Sequence, residues 1–259
     1  MDHASGADES MVATGAPRIF SAARRRARSA RSATRLGQAG SSCWLLQHLE
    51  SEIIERIDFM RHEPDQALLI GLNTQELTSE LDRMGAKVNS LALRDDETPI
   101  ETGPFDLIVS MAMLDTVNDL PGALIHLRNA LAAGGVMFAP ILGAGSLSSL
   151  RQILMAADGE RPAARVHPQI DTRAATALLE RAGFARQVVD THTLSVRYGS
   201  LDTLFGDLRA QALTNVLADA PPPLTRTSLE RARAAFSEMA DDEGRVTETF
   251  EILTLTGWG

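Results

Sequence analysis

The sequence predicts an α/β fold: a mostly parallel sheet with helices on both faces and an antiparallel C-terminal strand at its edge. Three observations carry this. Phe105-Asp106-Leu107-Ile108-Val109-Ser110 is a short apolar run of the kind buried on both faces of a parallel sheet. Beyond Val117-Asn118-Asp119-Leu120-Pro121 a helical stretch ends in Leu131-Ala132-Ala133-Gly134-Gly135, which leads into a second buried strand at Val136-Met137-Phe138. Strand-like and helical stretches then alternate through most of the chain.

Residues 1–16 are small and polar with no apolar period, the composition of a disordered tail. Residues 17–63 form an N-terminal helical segment. It holds a basic helix that begins after Pro17 and is broken from Gly37 to Ser42. A second helix over 43–61 carries Leu45, Leu46, Leu49, Ile53, Ile57 and Met60 near helical spacing and stops at Pro64. The sheet domain spans 64–259. Ala67-Leu68-Leu69-Ile70-Gly71 is its first strand, and Asn73 or Thr74 caps a helix over about 75–84. Lys87 to Leu93 is a strand, and 94–104 is acidic and irregular. After the strand at 105–110, Pro121 sits in the first turn of a helix that ends at Gly134-Gly135. A strand over 136–142, a turn at Gly143–Ser146 and a helix over 147–157 follow. Asp171 caps a helix over 172–182, and 187–190 and 194–198 read as two strands near the sheet edge. Helices are expected over 200–217 and 225–240, separated by Pro221-Pro222-Pro223. Gly244 turns the chain into a last strand over 246–255, antiparallel because a turn and not a crossover precedes it.

The net charge of −9 is unevenly spread: residues 11–49 hold no acid and seven arginines, Arg18, Arg24, Arg25, Arg26, Arg28, Arg31 and Arg35. A solvated helix face is the reading favoured for them. A basic arm for an acidic partner is the alternative, and the absence of interleaved aromatics argues against nucleic acid. Asp2, Asp8 and Glu9 argue against a transit peptide. The single cysteine, Cys43, excludes an internal disulfide, and no run of about 18 apolar residues suggests a membrane span. A cytoplasmic protein is expected. The histidines show no metal-ligand spacing, so no metal site is expected. His167 is a weak general-base candidate, and the Gly143–Ser146 amides an anion-binding candidate.

Further motifs narrow the fold. Pro17-Arg18-Ile19-Phe20 before the arginine-rich helix, Val117-Asn118-Asp119-Leu120-Pro121-Gly122, Val196-Arg197-Tyr198, and Phe250-Glu251-Ile252 leading to Leu255-Thr256-Gly257-Trp258 occur together. In these the chain resembles bacterial relatives of the methyltransferase-fold assembly factors of mitochondrial complex I. More distantly it is similar to the malonyl-carrier-protein methyltransferases of biotin synthesis. Both groups are class I S-adenosylmethionine (SAM)-dependent methyltransferases with a Rossmann-like fold. The resemblance runs from about residue 17 to 259. It implies a SAM-binding domain acting by methyl transfer on a carrier-protein-bound acid, or by hydroxylation on an arginine of a respiratory-complex subunit.

The resemblance also locates a cofactor site and its erosion. The class places an acid and then glycines at alternate positions after the first strand, where this chain has Leu69, Gly71, Asn73 and Gln75. Asp95 and Asp96 match the acidic step that contacts adenine in relatives. Ser110 and Met111 stand where the chain leaves the next core strand, at the ligand edge of an open α/β sheet. Gly71, Asn73, Asp95, Asp96, Ser110 and Met111 are therefore the cofactor-binding candidates, and no catalytic residue is assigned. Between Gly71 and Phe105 there is no room for the further helix and strand of relatives. Asp115-Thr116 replaces their glutamine-tryptophan pair, and Asp115 reads as an exposed loop acid or as a replacement ligand. Two functions stay open: a SAM-dependent enzyme with a degenerate cofactor site, or a non-catalytic assembly or scaffold protein of the same fold.

Overall fold

Six strands form one mixed sheet in the order β2-β1-β3-β4-β6-β5. They are β1 (Gln66–Gly71), β2 (Lys87–Leu91), β3 (Phe105–Met111), β4 (Leu131–Leu142), β5 (Arg186–Tyr198) and β6 (Val246–Trp258). The computed structural model describes residues 18–36, 43–72, 75–91 and 97–259. The tail over 1–16 lies outside the described residues. β1 to β4 run parallel, and β6 runs antiparallel to both β4 and β5. Alternation within β1 feeds two cores. Ala67 and Leu69 point to one side, where α2 (Trp44–Met60), α3 (Gln75–Met84), α5 (Ser148–Asp158), α7 (Leu201–Ala210) and α8 (Arg226–Met239) pack. Leu68 and Ile70 point to the other, under α4 (Leu120–Ala130) and α6 (Thr172–Ala182). α2 buries Leu45, Leu49, Ile53 and Ile57 there, each side chain worth roughly 1.5–3 kcal/mol. None of the helices is long and apolar enough to cross a membrane, among the described residues.

Three expectations are corrected. The two strands expected over 187–190 and 194–198 are one strand, because β5 pairs with β6 without interruption from Arg186↔Trp258 to Tyr198↔Val246. The C-terminal strand is antiparallel as expected, but β5 takes the edge and β6 lies inside it. The buried run Ile252–Thr256 explains this, since it is covered on both faces and needs partners on both sides. The helix expected over 200–217 ends at Ala210, because Ala212 takes a positive φ of 57° and Gln211 turns its side chain to the Leu45 N–H and Asp207. Between β2 and β3 the described residues hold no helix or strand, so β2 is the opposite edge of the sheet.

The Leu255-Thr256-Gly257-Trp258 ending has a packing reason. A Cβ at Gly257 would lie 2.5 Å from the Phe184 ring, so β6 crosses this point only without a side chain. Gly257→Ala is expected to lower unfolding free energy by about 1–3 kcal/mol through overpacking, read from the midpoint of a urea titration at unchanged slope.

Candidate functional site

The carboxyl ends of β1 and β3 define the edge where ligands bind in open α/β sheets. Gly71 closes β1 with φ +93°, and a Cβ there would meet Met113 Cγ at 2.4 Å and the Met111 carbonyl oxygen at 2.6 Å. The space beside this glycine is thus filled by the chain's own Met113. Ser110 and Met111 are buried beneath the edge, and Ser110 Oγ has no protein hydrogen-bond partner. Leu69 is a core side chain. Asn73, Asp95 and Asp96 lie outside the described residues.

α1 (Ala22–Leu36) lies across this edge. Its buried face is Arg25, Arg28, Ser29 and Ser32, an i, i+3, i+4, i+7 stripe built from polar residues. Arg25 donates from Nε to Thr116 Oγ1 (3.3 Å) and from Nη2 to the Met113 carbonyl (3.4 Å). Arg28 donates to Thr116 Oγ1 (3.1 Å) and to the Thr214 carbonyl (3.3 Å). Burial pushes the Arg28 guanidinium below its ordinary pKa, and the Asp115 carboxylate opposes that. The arginines are therefore not simply a solvated face, and Asp115 is half-buried beside Arg28, not an exposed loop acid. A buried guanidinium needs acceptors, and the 113–116 segment supplies them.

The segment before α1 is clamped as well. Phe20 N–H donates to Asn118 Oδ1 (2.8 Å), and Asn118 Nδ2 donates back to the Phe20 carbonyl (3.1 Å). Asp119 caps α4 through the Gly122 N–H (2.9 Å). His167 accepts from the Val216 N–H at Nε2 (2.7 Å) and meets the Phe20 ring edge-on at 5.4 Å. Burial, with Arg28, Arg24 and Arg151 adding to it, lowers the His167 pKa to about 4, so it is a neutral structural acceptor.

Helix starts and tight turns at this edge are anion sites, and carboxylates of the chain occupy them. Glu50 on α2, fully buried, accepts from the Leu77 N–H at the start of α3 (3.1 Å). Glu248 on β6 accepts from the Ser149 and Leu150 N–H groups at the start of α5 (3.2 and 2.7 Å). The Gly143–Ser146 turn, expected to bind an anion, holds Glu251: Gly145 N–H donates to its carboxylate (3.0 Å), and Ser146 Oγ donates to its carbonyl (3.0 Å). Among the described residues, two pockets beside Arg28 measure ≈ 40 and ≈ 20 Å³, against roughly 300–1,000 Å³ for ordinary small-molecule sites.

A larger cleft of ≈ 630 Å³ lies between α2 and the β4-β6-β5 half of the sheet, lined by Glu52, Arg56, Phe59, Val188, Thr256 and Trp258 among others. Beside it the fold gathers His48, Glu52 and His192, a group of metal-ligand type. The expectation of no metal site rested on linear spacing, which does not reach a residue 144 positions away.

Residues 43–189 match the family described as "Methyltransferase domain". The arginine hydroxylase NDUFAF5 of Mus musculus mitochondria is 32% identical over 220 residues, covering 83% of this chain and 61% of that protein. A malonyl-[acyl-carrier protein] O-methyltransferase of Laribacter hongkongensis is 28% identical over 180 residues, covering 69% and 59%. The chain thus spans about three fifths of the length of these curated relatives. The 1,6-didemethyltoxoflavin-N1-methyltransferase of Burkholderia thailandensis superposes with a TM-score of 0.50 at 11% identity, covering 92% of this chain and 89% of that one, a likeness of fold.

Two outcomes follow from the anchored edge. Glu50→Ala leaves the start of α3 without its acceptor and is expected to cost about 1–3 kcal/mol, measured by chemical denaturation. Because the His167 pKa is depressed in the fold, the unfolded chain binds the extra proton between pH 6.5 and about 4. Stability is therefore expected to fall as pH drops through that window, by up to about 1.4 kcal/mol per pH unit, with a flatter profile in His167→Gln.

Proposed function

The chain belongs to the methyltransferase-domain family, and we propose that it keeps the fold as a protein-binding platform and has given up the SAM pocket. The observation that carries this reading is Glu50. Its carboxylate is hydrogen-bonded at the start of the helix that follows β1, where a bound cofactor's own carboxylate would need the same backbone donors. A second negative charge in that buried place is strongly unfavourable. The Met113 side chain against Gly71, the Arg25 and Arg28 side chains over residues 113–116 and the small pockets there support the same reading. On this reading the described residues leave the cofactor's carboxylate no free backbone donors at the start of α3, and no methyl-transfer step is derived.

The names of the relatives point to protein-borne groups, an arginine in one case and a malonyl carrier protein in the other. A partner of that kind, a respiratory-complex subunit or an acyl carrier, is the proposed ligand. Arg26 and Arg31 on the outer face of α1 and the exposed face of α8 are its docking surfaces, and an acidic partner fits the first.

A second reading, a SAM-dependent enzyme with a degenerate site, is favoured by one observation: Ser110 Oγ is buried and lacks a protein partner at the carboxyl end of β3. In that reading Gly71, Asn73, Asp95, Asp96, Ser110 and Met111 line the cofactor. Calorimetric titration with SAM and with S-adenosylhomocysteine, paired with thermal melts, separates the two. The platform reading expects no heat and no shift at millimolar ligand. A dissociation constant near 10 µM would stabilise the fold by about 2.7 kcal/mol at 1 mM ligand, a shift of several degrees that overturns it.

A further inference from the structure

We propose that His48, Glu52 and His192 bind one divalent transition-metal ion, with zinc as the best-fitting ion, beside the cleft between α2 and β5. The site lies at the β5 edge of the sheet, away from β1 and Gly71, and it stands independently of whether SAM binds.

The backbone explains the convergence. His48 and Glu52 are one helical turn apart and share a face of α2. β5 carries His192 to that face from the sheet edge. The Nε2 atoms of the two histidines are 3.1 Å apart. Glu52 Oε1 lies 3.4 Å from His192 Nε2 and 3.8 Å from His48 Nε2. A point equidistant from the three atoms lies about 2.0 Å from each, and a small step out of their plane makes it about 2.1 Å, which are the lengths of Zn–N and Zn–O bonds. The three donor atoms thus already stand at the separations of ligands to one ion.

The chemistry of the donors agrees. Two imidazoles and one carboxylate suit zinc and its first-row neighbours and not calcium or magnesium, which take oxygen ligands. Without an ion, at most one proton can sit between the facing Nε2 atoms, and it must be donated by one ring and accepted by the other. The Glu52 oxygen then meets a nitrogen whose hydrogen-bonding capacity is already used. One cation satisfies all three atoms together.

Three protein ligands leave a fourth tetrahedral position for water or for another donor. Glu52 belongs to the cleft wall, so the ion sits beside the ≈ 630 Å³ cleft. The same wall holds the Arg56–Asp190 ion pair (2.6 Å) and the buried Thr256 hydroxyl, which has no protein partner.

The test uses the full chain stripped of metal by chelator. Titration with zinc chloride by calorimetry is expected to show one ion per chain with a dissociation constant at or below the micromolar range, and zinc is expected to raise the melting temperature. Glu52→Gln and His192→Gln are each expected to weaken binding at least about tenfold while the metal-free melt stays close to that of the parent. All three side chains are partly exposed, so the substitutions leave the core intact. If one variant fails to fold, His48→Gln makes the same test. Absence of zinc binding below millimolar concentration overturns the proposal. So does stoichiometric binding that is unchanged in the variants, which would assign the metal to other residues.

Discussion

The carboxyl edge of this sheet depends on carboxylates that the chain supplies to its own backbone. The starts of α3 and α5 and the Gly143–Ser146 turn expose N–H groups that must find acceptors, because buried orphan donors cost a large fraction of a domain's net stability. Glu50, Glu248 and Glu251 meet them, and each acid comes from a different element than the amides it binds. These hydrogen bonds therefore lock α2 to α3 and β6 to α5, as well as ending helices. The local caps, Asp119 on α4 and Asp171 on α6, do no such joining. The three distant acids fix where the layers sit, and they fill the sites that an anionic ligand would use.

α1 follows from the same accounting of polar groups. Its one large apolar residue is Leu36, packed against the core at the end of the helix, so apolar burial alone cannot hold it. Arg25 and Arg28 bind Thr116 and the carbonyls of Met113 and Thr214, which ties the helix to the loop after β3 and to the segment after α7. Asn118 and His167 fix the approach to it at Phe20. This interface is specific because the Arg25 Nε and Nη2 and the Arg28 Nη1 and Nη2 donors have geometrically defined acceptors, while the buried Arg28 Nε has none among the described residues. It is also sensitive, since removing one partner strands another inside the protein. The family motifs around Phe20 and Asn118 thus carry the docking of one helix, and Tyr198 does similar work by sharing Asp207 with Trp44.

The parallel core was legible in the sequence because β1, β3 and β4 are largely apolar runs punctuated by glycine, and Asp119 caps the helix between β3 and β4. Fold and family follow from those signals. What pattern could not reach was pairing between distant polar residues. The inner face of α1 is visible in retrospect as arginine and serine at i, i+3, i+4 and i+7, but amphipathicity is read from apolar residues and these are not. The order β6 inside β5 was hidden because both strands mix apolar and polar residues, and Thr254 and Thr256, which read as polar, are buried where β6 lies inside. For the candidate site, Gly71, Ser110 and Met111 lie at the carboxyl edge that β1 and β3 form. The carboxylates that fill it, and the histidine brought beside α2 by β5, depend on tertiary contacts that no local spacing encodes.

The sheet has two open margins, and they are protected differently. β2 has five residues, begins with Lys87, and is too short to template a long ladder. β5 has thirteen, a length at which unpaired backbone groups invite another strand. Arg186, Asp190 and Arg197 punctuate that margin with charge, and Arg186 stacks its guanidinium 4.6 Å from the centre of the Trp258 ring. A second copy approaching in register would have to bring like charges together or bury them. The charged residues that interrupt β5 as a sequence signal thus oppose the pairing of its free margin with another strand.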